Sequence, residues 1–83
     1  MKRRQHRELY EEFCENLISL REGASFTQQQ LAKKLGKPQS FISKYESGER
    51  RLDIVELVTI LDALGVTLAE LSLNFPSTAK RVK

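Results

Sequence analysis

Apolar positions recur at helical spacing in five stretches, and each stretch is bracketed by residues that start or stop helices. The first covers about residues 8–21, where Phe13, Leu17 and Leu20 form a stripe flanked by Tyr10, Cys14 and Ile18. Glu8, Glu11, Glu12 and Glu15 load its first half, which suits the positive end of a helix. Gly23 is expected to end it, with Ala24 and Ser25 as the link. Thr27 is a good N-cap for the second helix. Gln30 stands at its capping-box position, and Phe26 and Leu31 form the hydrophobic staple. Leu31, Ala32 and Leu35 give the apolar face, and Gly36 stops the helix. Pro38 pre-sets the backbone for a third helix over about residues 39–47, ended by Gly48. Asp53 and Glu56 cap a fourth, with Ile54, Leu57, Val58, Leu61 and Leu64 as its apolar face and Ile60 beside them. Gly65 ends it. Val66, Thr67 and Glu70 repeat the same logic for a fifth helix, whose Leu68 and Leu71 face the core, and Pro76 ends regular structure. Runs of alternating Val, Ile and Thr are absent, so no strand competes. All four glycines fall just past a predicted helix. The pattern predicts an all-α, five-helix bundle.

The third helix divides into two faces. At about 100° per residue, Pro38, Phe41, Ile42, Tyr45 and Glu46 share one arc, and Gln39, Ser40, Ser43, Lys44 and Ser47 share the other. The second arc holds small polar residues, one amide and one cation, without an acid. Those groups suit base edges in a major groove: Gln bridges adenine, Lys donates to guanine, and Ser serves either. A solvated face would also look polar. The second and third helices together, with Ala32 at the expected crossing, add weight. So does the local charge: between Thr27 and Arg51, six basic residues (Lys33, Lys34, Lys37, Lys44, Arg50 and Arg51) stand against only Glu46 and Glu49.

The stretch Thr27 to Arg51 resembles the helix-turn-helix of the phage repressor and Cro (XRE) family. The resemblance rests on Gln28, Leu31, Ala32, Leu35, Gly36, Gln39, Ser40, Ile42, Ser43, Lys44, Glu46, Gly48 and Arg50, and extends from about Leu17 to Leu71. It implies a lambda-repressor-like DNA-binding domain whose helices 2 and 3 form the motif. It implies that Gln28 anchors a phosphate at the positive end of helix 2. Gln39, Ser40 and Lys44 are then the base readers, Ser43 meets backbone or base, and Lys37 and Arg50 pair with phosphate. Relatives also pair an Arg at the end of helix 1 with a Glu at the end of helix 3, here Arg21 and Glu46. Two positions depart from the family. Pro38 lacks the hydroxyl that often caps the third helix. Phe41 is large, and either packs inward or touches a thymine methyl.

Composition bounds these readings. At 83 residues and 40% apolar content, the chain supports one small core. Apolar runs are too short for a membrane span, and the basic start leads into an acidic amphipathic segment, unlike a signal peptide. A cytoplasmic location is the expectation. Cys14 and His6 stand alone, which argues against disulfides and a Cys/His metal site. The four glutamates of helix 1 lack a histidine or other ligand to complete a site, so they read as a solvated face, and Cys14 as a half-buried, inert thiol. No metal, cofactor or small-molecule ligand is indicated. The net charge of +3 is uneven. Residues 1–7 form a basic arm, residues 77–83 a basic tail, and residues 8–76 the domain. Residues 8–79 carry seven basic and eleven acidic side chains, so the body is acidic outside the helix-turn-helix. The tails are either phosphate-seeking arms or solubilising ends. Leu73 and Phe75 either close the bottom of the core or make a dimer contact.

Two functions fit. One is a sequence-specific regulator of transcription that binds double-stranded DNA, as a homodimer on a pseudo-palindromic operator. The other is a protein-interaction module on the same scaffold, such as an antitoxin or co-regulator. An enzyme is disfavoured, since no nucleophile–base pair, metal constellation or phosphate loop is evident.

Overall fold

The computed structural model describes residues 6–73, and regular structure over that span is helical throughout. Five helices follow in order: α1 His6–Gly23, α2 Gln28–Leu35, α3 Gln39–Glu46, α4 Ile54–Leu64 and α5 Leu68–Leu73. The predicted Phe75 and Pro76 features, residues 1–5 of the basic arm, the basic tail and the side chain of Leu73 lie outside the described residues.

Local signals start three of the helices. The Thr27 hydroxyl accepts from the Gln30 amide at 3.1 Å, and the Gln30 side chain accepts from the Thr27 amide at 2.9 Å. Asp53 and Glu56 exchange the same pair of bonds at the start of α4, at 2.7 and 3.1 Å. Thr67 and Glu70 do so for α5. Each such cap contributes about 1 kcal/mol. Pro38 caps α3 without any side-chain bond. The start at Gln39 agrees with the sequence, and the helix stops one residue early, at Glu46.

The ends of α1, α2 and α4 share one hydrogen-bond pattern, with one surprise. Gly36 is left-handed at φ 70°, and the Lys37 amide donates back to the Ala32 carbonyl at 2.9 Å. Gly65 and Val66 repeat this at the end of α4. At the end of α1 the same closure is made by Ser25, not by glycine. Its φ is 65°, and the following Phe26 amide donates to the Arg21 carbonyl at 3.1 Å. Gly23, expected to end α1, is its last helical residue and lacks a positive φ. Ser25 is short, so it tolerates the left-handed region better than a branched residue would.

The core is built from Leu17, Leu31, Ala32, Ile42, Tyr45, Leu57, Ile60, Leu61, Leu64 and Leu71. Helix α2 lies against both α3 and α4, and α1 lies against α3. Ala32 is buried on the α2 face, where its methyl group permits close approach. On α1 the fully buried line is Cys14, Leu17 and Arg21, and Phe13 and Leu20 are only half-buried. Cys14 is thus deeper than expected, and its thiol donates to the Tyr45 carbonyl at 3.4 Å. Burial pushes that thiol up from its ordinary pKa, which disfavours the nucleophilic thiolate.

The face of α4 is the main correction to the expected packing. Its buried stripe is Leu57, Ile60, Leu61 and Leu64. Ile54 and Val58, expected to face inward, are 60% and 40% exposed, and Val55 is 71% exposed. Leu68, also expected inward, is exposed. The helix carries apolar residues around most of its circumference, so periodicity alone cannot choose the inward side. Packing of α2 on α4 chooses it.

Candidate nucleic-acid interface

The predicted division of α3 is largely what the fold produces. Ile42, Tyr45 and Glu46 are buried, and Phe41 is half-buried. Pro38, expected on the inner arc, is exposed. Gln39, Ser40, Ser43, Lys44 and Ser47 are all exposed on the outer side. Lys37 and Arg50 are exposed in the segments before and after the helix, and Gln28 is half-buried at the first turn of α2. The fold therefore gathers the candidate residues around α2, α3 and their flanks.

A chain of hydrogen bonds fixes two of them. Glu46, at the end of α3, is the pivot. Its Oε2 accepts from Arg21 Nε at 2.7 Å, and its Oε1 accepts from Arg21 Nη2 at 3.1 Å. The same Oε1 accepts from Gln28 Nε2 at 2.9 Å. Gln28 Oε1 in turn accepts from Gln39 Nε2 at 3.2 Å. Arg21 is held further by Nη1 donating to the Phe26 carbonyl at 2.8 Å. The expected Arg21–Glu46 pair thus exists, it is bidentate, and both partners are buried. Bonding to Glu46 raises the Arg21 pKa above its ordinary value. Sequence reasoning missed the Gln28–Glu46 and Gln28–Gln39 links. Only the proximity of the first turn of α2 to both ends of α3 brings those groups together.

After these bonds Gln39 still offers its Oε1 and a second N–H. That acceptor–donor pair is what bidentate contact with adenine N6 and N7 requires. Gln28 and Gln39 also border a shallow surface depression of about 460 Å³ with Arg21, Phe26 and Thr27.

A second cluster surrounds Phe41. Its ring meets Tyr45 edge-on, with centroids 5.5 Å apart and planes at 70°. Lys37 Nζ lies 5.4 Å from the Phe41 centroid and the Arg50 guanidinium 5.0 Å. Phe41 therefore packs on Tyr45 and carries two cations. Arg50 Nη1 and Nη2 also donate to the two oxygens of Glu56, at 3.0 and 2.8 Å. This pairing, with the Asp53 amide, holds the Glu56 carboxyl down to about 2. From sequence Glu56 had only its capping role. Arg51 lies over the Tyr10 ring at 4.2 Å, and Lys34 over Phe26 at 5.3 Å.

Glu8, Glu11, Glu12 and Glu15 line a separate depression of about 580 Å³. Among the described residues no group of three or more His, Cys, Asp or Glu could hold a metal ion, and no helix is long and apolar enough to cross a membrane.

Two short helices in this arrangement, with the second turned outward and the first braced against its ends, define a helix-turn-helix DNA-binding domain. The helix-turn-helix family model matches residues 17–71. A solved XRE-family like protein from Pseudomonas syringae pv. tomato str. DC3000 is 32% identical, with 94% of this chain and 92% of that chain covered and a TM-score of 0.75. The chain belongs to the Cro/C1-type (XRE) helix-turn-helix family. The clp gene regulator ClgR from C. glutamicum has the same fold at a TM-score of 0.74, with 23% identity and coverage of 84% of this chain and 90% of that one. Comparison with curated proteins finds no match.

Proposed function

We propose that the protein is a cytoplasmic regulator of transcription that binds double-stranded DNA in a sequence-specific manner, with α3 in the major groove. The observation that carries this reading is the exposed, acid-free face of α3, with Gln39 already held by Gln28. Gln39, Ser40 and Lys44 read bases, and Ser43 meets a base or the backbone. Gln28, Lys37 and Arg50 meet phosphate. The fold shared with a clp gene regulator is in keeping with this role. The active form is a homodimer. Its two recognition helices lie about 34 Å apart, one turn of duplex, on a pseudo-palindromic site. A single eight-residue reading helix covers too few bases for strong discrimination, which is the reason for two.

The exposed Ile54, Val55, Val58 and Leu68 favour a second reading, a module that binds another protein. One experiment separates the two. A cognate duplex is selected from a random library, and binding to it and to a scrambled duplex is measured at several salt concentrations. Gln39→Ala lowers the cognate-to-scrambled ratio, by about 1–3 kcal/mol, with little change in salt slope. Lys37→Ala weakens both duplexes alike and lowers the slope by about one unit. An unchanged ratio for Gln39→Ala puts the protein-binding reading first.

A further inference from the structure

The donors of Arg50 can be accounted for one by one. A guanidinium has five N–H groups in a fixed plane. Both hydrogens of Nη1 are used, one on Glu56 Oε1 at 3.0 Å and one on the Arg51 carbonyl at 3.2 Å. One hydrogen of Nη2 is used, on Glu56 Oε2 at 2.8 Å. Glu56 thus takes the end-on fork of the guanidinium. Among the described residues the other fork, Nε–H with the second Nη2–H, has no acceptor, and the Arg50 side chain is 43% exposed. That side fork presents two parallel N–H groups, the geometry that takes two oxygens of one phosphate.

The guanidinium is also held in place. Its Cζ lies over the Phe41 ring, 5.0 Å from the centroid, and the Arg50 amide donates to the Lys44 carbonyl at 3.0 Å. Glu56 is itself fixed, because its Oε1 accepts from the Asp53 amide at 3.1 Å in the α4 cap. Lys37 shares the Phe41 ring, so two cations sit on one aromatic support beside α3.

We infer that Glu56, which lies on α4 outside the helix-turn-helix, is a positioning residue for DNA binding: it holds the Arg50 end fork so that the Nε/Nη2 fork is set, on the Phe41 ring, to clamp one backbone phosphate of the duplex. The inference rests on the DNA-binding reading above. It has a counter-intuitive consequence. An acid close to the duplex ordinarily repels it, so removing the carboxylate charge should tighten binding. Positioning makes its removal weaken binding.

The test measures equilibrium binding to the selected duplex at several salt concentrations, at a temperature where circular dichroism shows each variant folded. Glu56→Gln binds about tenfold more weakly despite its added net positive charge, as expected for losing a charge-assisted bond to phosphate. Arg50→Lys, which keeps the charge and loses both forks, shows a similar loss. Arg50→Gln lowers the salt slope by about 0.9, the share of one neutralised phosphate. Asp53→Ala opens the same α4 cap and leaves Glu56 on Arg50, and it binds as the wild type does. Equal or tighter binding by Glu56→Gln, an unchanged slope for Arg50→Gln, or a loss in Asp53→Ala equal to that in Glu56→Gln each overturns the inference. Failure of the DNA-binding reading looks different: the wild type then selects no duplex, and the inference falls with it.

Discussion

Replacing Arg21 with alanine removes three donors at once, two from Glu46 and one from the Phe26 carbonyl. The Glu46 side chain is 4% exposed and cannot turn to water. Among the described residues it retains only the Gln28 amide. Breaking a buried ion pair from one side costs about 3–5 kcal/mol, because the remaining charge stays buried without its counterpart. A domain of this length has a total stability of about 4–12 kcal/mol. The variant therefore loses about a quarter of its stability or more, and its Tm falls by about 12 °C or more. Urea denaturation followed by circular dichroism reads the loss directly, provided the m-value is unchanged. Replacing both partners, Arg21→Met with Glu46→Met, leaves no charge stranded and recovers most of the loss. A loss of less than about 1 kcal/mol for Arg21→Ala would equal that of an exposed pair and would refute the structural role assigned to it.

Two further outcomes are expected. The Tyr45 hydroxyl is buried and, among the described residues, lacks a hydrogen-bond partner, so Tyr45→Phe raises stability by about 1 kcal/mol in urea denaturation; a decrease would show that the hydroxyl is satisfied. The Glu56 carboxyl is held down to about 2, from an ordinary value of 4.5, first by the Arg50 bonds and then by the Asp53 amide. Its protonation is therefore easier in the unfolded chain, and its stabilising effect is complete above about pH 4.5 and is lost as pH falls towards 2. The stability difference between wild type and Glu56→Gln shrinks over that window, and a constant difference would refute the pairing in solution.

Much of this fold was legible because its signals are local. Thr27 with Gln30, Asp53 with Glu56, and Gly36 and Gly65 act within a few residues of themselves, and they start or end helices where expected. The outward face of α3 was legible because its polar and apolar residues separate cleanly around the helix. Other features depend on neighbours distant in sequence. The inward side of α4 is set by α2, and a helix rich in apolar residues leaves the choice open. The sequence points to Gly23 as the end of α1, yet Ser25 takes the left-handed position. Glycine is permissive without being obligatory there, so its presence in sequence did not fix its role. In the site, the Arg21–Glu46 pair was expected from the family resemblance alone. The links from Gln28 to Glu46 and from Arg50 to Glu56 have no signature in a single sequence, since each joins residues on different helices or loops.

Helix α3 poses a mechanical problem that these links address. An isolated helix of eight residues is not stable in water, and α3 begins at a proline without a side-chain cap. Its orientation must therefore come from tertiary contacts, the burial of Ile42 and Tyr45 and a set of side-chain bonds. At its C-terminal end Glu46 is tied to Arg21 of α1, and at its N-terminal end Gln39 is tied to Gln28 of α2. Gln28 also bonds Glu46, so both ends are referred to one residue at the start of α2. In the DNA-binding role proposed above, holding Gln39 before contact reduces the side-chain freedom that binding would otherwise remove, a cost of about 0.5–1.5 kcal/mol for a flexible side chain. The same pivot thus bears on stability and on the proposed reading of bases. Substitutions at Glu46 should not separate the two effects, whereas substitutions at Gln39, at the exposed end of the network, should.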